Sequence, residues 1–267
     1  AARAVGVLRG RAALPDLLEA ARSKDTQLIY ESLVAVQKIG DRSAGPRLEF
    51  LLRDLDERVQ ATAVETAGLL RNTDALPALA QVLGRTSSRR VRRAALTSIA
   101  MMPDASVRTL LAGYLNDRDP DLRAAAAEGL GRLKDPADLA ALQKAYDEES
   151  SARARLSMAF GLVTHGRLEM TEFSPLQFLV NNLNSAARAD AAKALLTEAA
   201  RDDAVRSLLV SALSGATRDE KIGLAGVVAA SGDASNEPAL EALTKDPNVD
   251  VASAAVRALR ILRARAR

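Results

Sequence analysis

The feature that most constrains this chain is an internal period of about 31 residues, because a repeat of 20 to 50 residues decides the whole architecture before any local element is considered. A Leu-x-x-Leu pattern marks it at Leu14/Leu17, Leu48/Leu51, Leu76/Leu79, Val107/Leu110, Leu139/Leu142, Leu176/Leu179 and Val205/Leu208, with successive first positions 34, 28, 31, 32, 37 and 29 apart. A second register runs through Gln60, Arg92, Arg123, Arg155, Arg188 and Lys221, separated by 32, 31, 32, 33 and 33. The pairs Leu8-Arg9 with Leu14-Pro15 and Leu70-Arg71 with Leu76-Pro77 match across the same gap.

Within one unit, Leu122, Ala125, Ala126, Gly129, Leu130 and Leu133 fall on one helical face. Asp119-Pro120 and Asp135-Pro136 each place a side-chain acceptor before a proline that needs no N–H, which predicts two helix starts. Each unit is therefore two helices. Armadillo-like stacking would need a third helix, for which the period leaves little room.

A helical hairpin of this length resembles the HEAT family, given an Asp before the first helix, Val/Leu-Arg near its start and Ala-x-x-Leu-Gly at its end. It is most similar to the short bacterial repeats first described in phycobilin lyases. The resemblance covers nearly all of residues 1–267 and implies an all-α, right-handed α-solenoid superhelix of about eight HEAT-like hairpins. It also implies that second helices line the concave side. The chain is read as one repeat domain, 1–267, which a longer chain could contain. No bilin-binding motif accompanies the resemblance, so lyase activity is not carried over.

Composition agrees with close-packed helices. Hydrophobic residues are 48% of the chain, yet Trp is absent and aromatics are 3%, so Ala, Leu, Val and Ile supply the apolar surface. Ala and Gly let neighbouring helix axes approach to roughly 8–10 Å. With 37 Lys+Arg against 34 Asp+Glu, the net charge of +3 gives weak steering toward nucleic acid. Zero Cys removes disulfides, thiolate nucleophiles and Cys-ligated metal sites. The longest stretch without charge, Phe173 to Ala187, is too short and too polar to span a membrane. A soluble compartment follows as the expectation, cytoplasmic or exported if Ala1 follows a removed leader, with a monomer favoured.

Candidate sites come from departures within the repeat. The recurrent arginines 92, 123, 155 and 188 are expected to serve the stack; Asp119 and Asp121 stand where Arg123 can pair with a carboxylate. Between Arg85 and Arg93, the arginines Arg85, Arg89, Arg90, Arg92 and Arg93 have no acid among them, and Ser87 and Ser88 stand where other units carry Asp or Glu. These five are candidates to hold a phosphate or carboxylate. No aromatic lies nearby to stack a base, which opposes single-stranded nucleic acid. The tail Arg257, Arg260, Arg263, Arg265 and Arg267 fits a helix C-terminus. His165, the only histidine, precedes Gly166 and is expected to end a helix, although Glu169 and Glu172 nearby would allow acid–base work.

The second helices are poor in charge. From Pro77 to Gly84 the only polar side chain is Gln81, and from Ala105 to Asn116 the only charge is Arg108. From Ser174 to Ser185 there are none, while Gln177, Asn181, Asn182 and Asn184 are present. An amide both donates and accepts, so a row of them suits the backbone of a bound segment. Gln81, Arg108, Gln143, Gln177 and Asn181 are accordingly the candidates for a partner protein or peptide on the concave face. No catalytic residue, cofactor site or metal site is expected, and the reading is a non-enzymatic interaction scaffold. The alternatives are a nucleic-acid-binding or base-processing HEAT-like protein, and a lyase-like chaperone for a pigment or cofactor.

Overall fold

The computed structural model describes residues 10–265. They form fifteen α-helices and short 3-10 turns, and no strand occurs among the described residues. The chain divides into two units, Ala1–Leu133 and Lys134–Arg267. In the first unit, second helices α1 (Leu14–Ala20), a 3-10 helix (Pro46–Arg53), α4 (Leu76–Arg85) and α6 (Arg108–Gly113) alternate with first helices. Those are α2 (Thr26–Ile39), α3 (Glu57–Leu69), α5 (Arg89–Ala100) and α7 (Pro120–Leu133). The second unit repeats the order, with second helices α8 (Leu139–Glu148), α10 (Pro175–Asn181), α12 (Asp203–Ala212) and α14 (Glu237–Leu243). Its first helices are α9 (Ala152–Thr164), α11 (Ala189–Ala199), α13 (Arg218–Ser231) and α15 (Val249–Arg265). Each unit is an all-α solenoid of stacked hairpins. Leu8, Arg9 and Arg267 lie outside the described residues.

The helix starts follow the sequence signals. Asp25, Asp56, Ser88, Ser151, Asp202 and Thr217 each accept a backbone N–H of the first turn that no helical carbonyl can reach. Asp135 accepts the Ala137 N–H at 3.0 Å and opens the 3-10 turn that leads into α8. Such caps open most of the first helices, which is why those boundaries could be read locally; the first helix α11 has none.

First helices stack on first helices and carry the core. Their buried faces are small: Ala61, Ala63 and Val64 in α3; Ala94, Ala95 and Leu96 in α5; Ala124 to Ala127 in α7. Two glycines permit close approaches between neighbouring helices. A Cβ on Gly68 would lie 2.7 Å from the Ser98 Cα in the next first helix, and one on Gly129 would meet Leu111 at 2.8 Å. Ser98 uses the same approach to donate its hydroxyl to the Val64 carbonyl at 2.8 Å. Leucines of the second helices close each hairpin, with Leu51, Leu79, Leu111, Leu142, Leu179 and Leu209 all buried.

Candidate functional site

The register Gln60, Arg92, Arg123 does structural work in the first unit. Each sits one turn inside a first helix and reaches back to the end of the preceding second helix. Gln60 Nε2 donates to the Leu52 carbonyl at 2.9 Å, Arg92 Nη2 to Thr86 at 2.9 Å and Arg123 Nη1 to Asp117 at 2.8 Å. A helix C-terminus leaves its last carbonyls without N–H partners, and a long donor from the next helix satisfies them. Asp119 accepts from Arg93, through Nε and Nη2 at 2.8 Å each, and from Arg89 Nε at 3.0 Å, while Arg93 also meets Asp121 at 2.5 Å. Although burial works to raise it, hydrogen bonds from Arg93 and Arg89 and from the Asp121 N–H hold the Asp119 carboxyl well below the usual carboxylate range.

In the second unit the same register changes chemistry. Arg188 Nε donates to Asn182 Oδ1 at 2.6 Å, and Lys221 Nζ pairs with Asp246 at 2.8 Å. Arg155 instead lies over the rings of Tyr146 and Phe178, 4.6 and 5.4 Å from their centroids. Burial pushes the Tyr146 hydroxyl up in pKa, against the opposing charge of Arg155.

The five arginines expected to face an external anion have different fates. Arg89 and Arg93 find carboxylates 30 and 26 residues ahead, in the next repeat, where a search for local partners does not look. Arg92 holds the Thr86 carbonyl. Burial raises the Glu65 carboxyl, and the Arg90 charge on the neighbouring first helix acts to lower it. Arg85 has neither ion pair nor hydrogen bond from its side chain among the described residues. It lines a depression of about 440 Å³ with Leu52, Arg53, Gln60, Ala78, Gln81, Val82, Thr86 and Ser87.

All five partner candidates sit on second helices or the turn beside them, and none belongs to the buried core. Gln81 and Asn181 are exposed; Arg108, Gln143 and Gln177 are half-buried. Gln81 and Arg108 belong to the first unit, and Gln143, Gln177 and Asn181 to the second. Gln177 Nε2 donates to Asn181 Oδ1 at 2.7 Å, and Gln143 Nε2 to Asp147 at 3.0 Å, one turn along each helix. Gln143 lines a shallow depression of about 620 Å³ with Leu139, Lys144, Asp147 and Arg167 among others. Two further amides of the charge-free stretch are committed inside the stack. Asn182 is buried between Arg188 and the Phe178 carbonyl, and Asn184 bonds Glu220 and Thr217.

His165 ends α9 before Gly166, which takes φ +89°. Its ring nitrogens lie 2.7 Å from the Gly161 carbonyl oxygen and 3.0 Å from that of Asp135, so the ring fastens a helix end to a neighbouring turn. Among the tail residues, Arg263 pairs with Glu237 at 2.7 Å and with Glu241 at 2.5 Å, and Arg265 donates to the Ala229 carbonyl. The described residues hold no cluster of His, Cys, Asp or Glu arranged for a metal ion, and no helix is long and apolar enough to cross a membrane.

A family model for HEAT repeats matches residues 46–113 and 81–162. Residues 46–162 carry HEAT repeats. The solved complex of CpcE and CpcF of phycocyanin lyase from Nostoc shares its fold at a TM-score of 0.64, with 18% identity over 94% of each chain. Human deoxyhypusine hydroxylase in complex with glycerol aligns with a TM-score of 0.42 and 18% identity, covering 98% of this chain and 99% of that one. YibA of Escherichia coli aligns at 0.46 and 18% identity, covering 97% and 85%. No curated protein matches the sequence. The phycobilin-lyase-type HEAT architecture expected from the repeat is thus the architecture found.

Proposed function

We propose that this HEAT-repeat chain is a non-enzymatic interaction scaffold that takes an extended or helical segment of a partner protein on its second helices. One contrast carries the reading. The recurrent polar residues Gln60, Arg92 and Arg123 on first helices bond backbone carbonyls that precede their own helix, whereas Gln81, Gln143, Gln177 and Asn181 on second helices make no side-chain bond beyond their own helix among the described residues. Their amides make at most intrahelical side-chain bonds, which a peptide backbone can replace without leaving a buried group unpaired. The similar structure from Nostoc is itself a complex of two proteins, which agrees with partner binding by this fold.

The test is a paired capture. Wild type and the triple variant Gln81→Ala, Gln177→Ala, Asn181→Ala serve as baits, and captured proteins are quantified by mass spectrometry. A partner held by wild type should bind the triple variant more weakly by about 1 kcal/mol per hydrogen bond lost, measured by calorimetry. Equal affinity for both baits refutes the assignment of these side chains.

A further inference from the structure

We propose that the groove between the 3-10 helix Pro46–Arg53 and α4 binds an acidic peptide segment, with Arg53 and Arg85 each receiving a carboxylate. The inference rests on the scaffold reading and names the chemistry of the partner at this place.

Helical spacing builds one wall. Ala78, Gln81, Val82 and Arg85 fall at i, i+3, i+4 and i+7, so they form one stripe of α4 facing the depression. Arg53, the last residue of the 3-10 helix and 32 positions before Arg85, lines the same depression, as does Gln60 of the first helix α3. Each of the two arginines is thus the last residue of its second helix, in consecutive hairpins.

Their electrostatic situation differs from that of the neighbouring arginines. Arg89 and Arg93 are neutralised by Asp119, and Arg93 also by Asp121. Arg53 and Arg85 are exposed, neither has an ion pair or side-chain hydrogen bond among the described residues, and no carboxylate lines their groove. Two guanidinium groups lining one cleft repel each other, and a ligand that brings carboxylates removes that repulsion while gaining charge-assisted hydrogen bonds.

The rest of the lining suits a peptide chain. The Gln60 amide N–H is taken by the Leu52 carbonyl, which leaves its oxygen to accept a backbone N–H. Gln81 is exposed and offers both a donor and an acceptor, and Ser87 adds a hydroxyl at the rim. Ala78 and Val82 provide a narrow apolar strip between the polar groups. A groove with cations at two points, amides between them and small apolar contacts fits an extended segment carrying Asp or Glu better than a single compact anion.

The probe is a fluorescein-labelled octaglutamate peptide, read by fluorescence anisotropy against the full chain at low salt. Wild type should bind, octaglutamine should not, and Arg53→Gln with Arg85→Gln should weaken the affinity about tenfold or more. The control Arg257→Gln with Arg260→Gln removes the same charge elsewhere and should change affinity less than twofold. Circular dichroism checks that both double variants keep their helix content. Equal loss in the two variants assigns binding to net charge and overturns the proposal, as does failure of wild type to bind. Displacement of the peptide by 1 mM inorganic phosphate but not by 1 mM free glutamate makes the site a phosphate site and also overturns it. Octaglutamate binding that ignores the arginine pair but is lost in the Gln81, Gln177, Asn181 triple variant sinks this inference and leaves the scaffold reading standing.

Discussion

Replacing Asp119 by alanine removes two contributions at once, and a second substitution separates them. Asp119 precedes α7, accepts the Asp121 N–H at 3.0 Å, and also receives Arg93 and Arg89 from the preceding first helix. Losing the cap costs about 1 kcal/mol. The ion pairs add roughly 1 kcal/mol, held low because Arg89 is 71% and Arg93 34% exposed although Asp119 itself is only 11% exposed. Asp119→Ala should therefore lose about 2 kcal/mol in urea denaturation followed by far-UV circular dichroism. Asp119→Asn keeps the cap acceptor and should lose about 1 kcal/mol. The pH dependence has a definite sign. The folded-state pKa of Asp119 lies below its unfolded value, so its stabilisation is complete above that unfolded value of about 3.9 and fades as pH falls through the folded one. The gap between wild type and Asp119→Asn should thus be widest above about pH 5 and narrow steadily below about pH 4. An asparagine variant as damaging as the alanine one, or a gap that does not change with pH, refutes this account of the residue.

Two other substitutions test how the stack is built. Gly68→Ala places a Cβ 2.7 Å from the Ser98 backbone and should lose about 1–3 kcal/mol despite the better helix propensity of alanine, whereas Gly113→Ala meets open space and should be neutral or slightly stabilising; denaturant midpoints of the two variants decide between packing and propensity. Arg123→Met keeps the aliphatic stem and leaves the Asp117 carbonyl without its 2.8 Å donor, so a loss of about 1 kcal/mol is expected in the same assay, and full retention of stability would show that water satisfies that carbonyl equally well.

The site was partly legible beforehand. Gln81 and Arg85 stood out because one was the sole polar side chain from Pro77 to Gly84 and the other opened an acid-free run. Arg53 gave no such sign, since Asp54 and Asp56 follow it closely and suggest local partners. What separates Arg53 from those acids is direction: Asp54 accepts the Asp56 N–H and Asp56 that of Val59, so both carboxylates are turned to the backbone of the following helix start. The identical 32-residue spacing of Arg53 and Arg85 and of Gln60 and Arg92 was the available signal.

The sequence by itself determined the period, the two helices per unit and most of their starts, because caps, prolines and apolar faces act over a few residues and recur along the chain. Division into the units Ala1–Leu133 and Lys134–Arg267 has no comparable local mark. Tertiary structure decided which charges are neutralised. Stacking brings residue i beside residues about 26 to 32 further on, so Arg93 meets Asp119 and Arg218 meets Asp250, while Arg53 and Arg85 come to one groove with no acid between them. Helix formation is settled by neighbours along the chain, whereas the pairing of long charged side chains depends on the offset and rotation of one hairpin against the next.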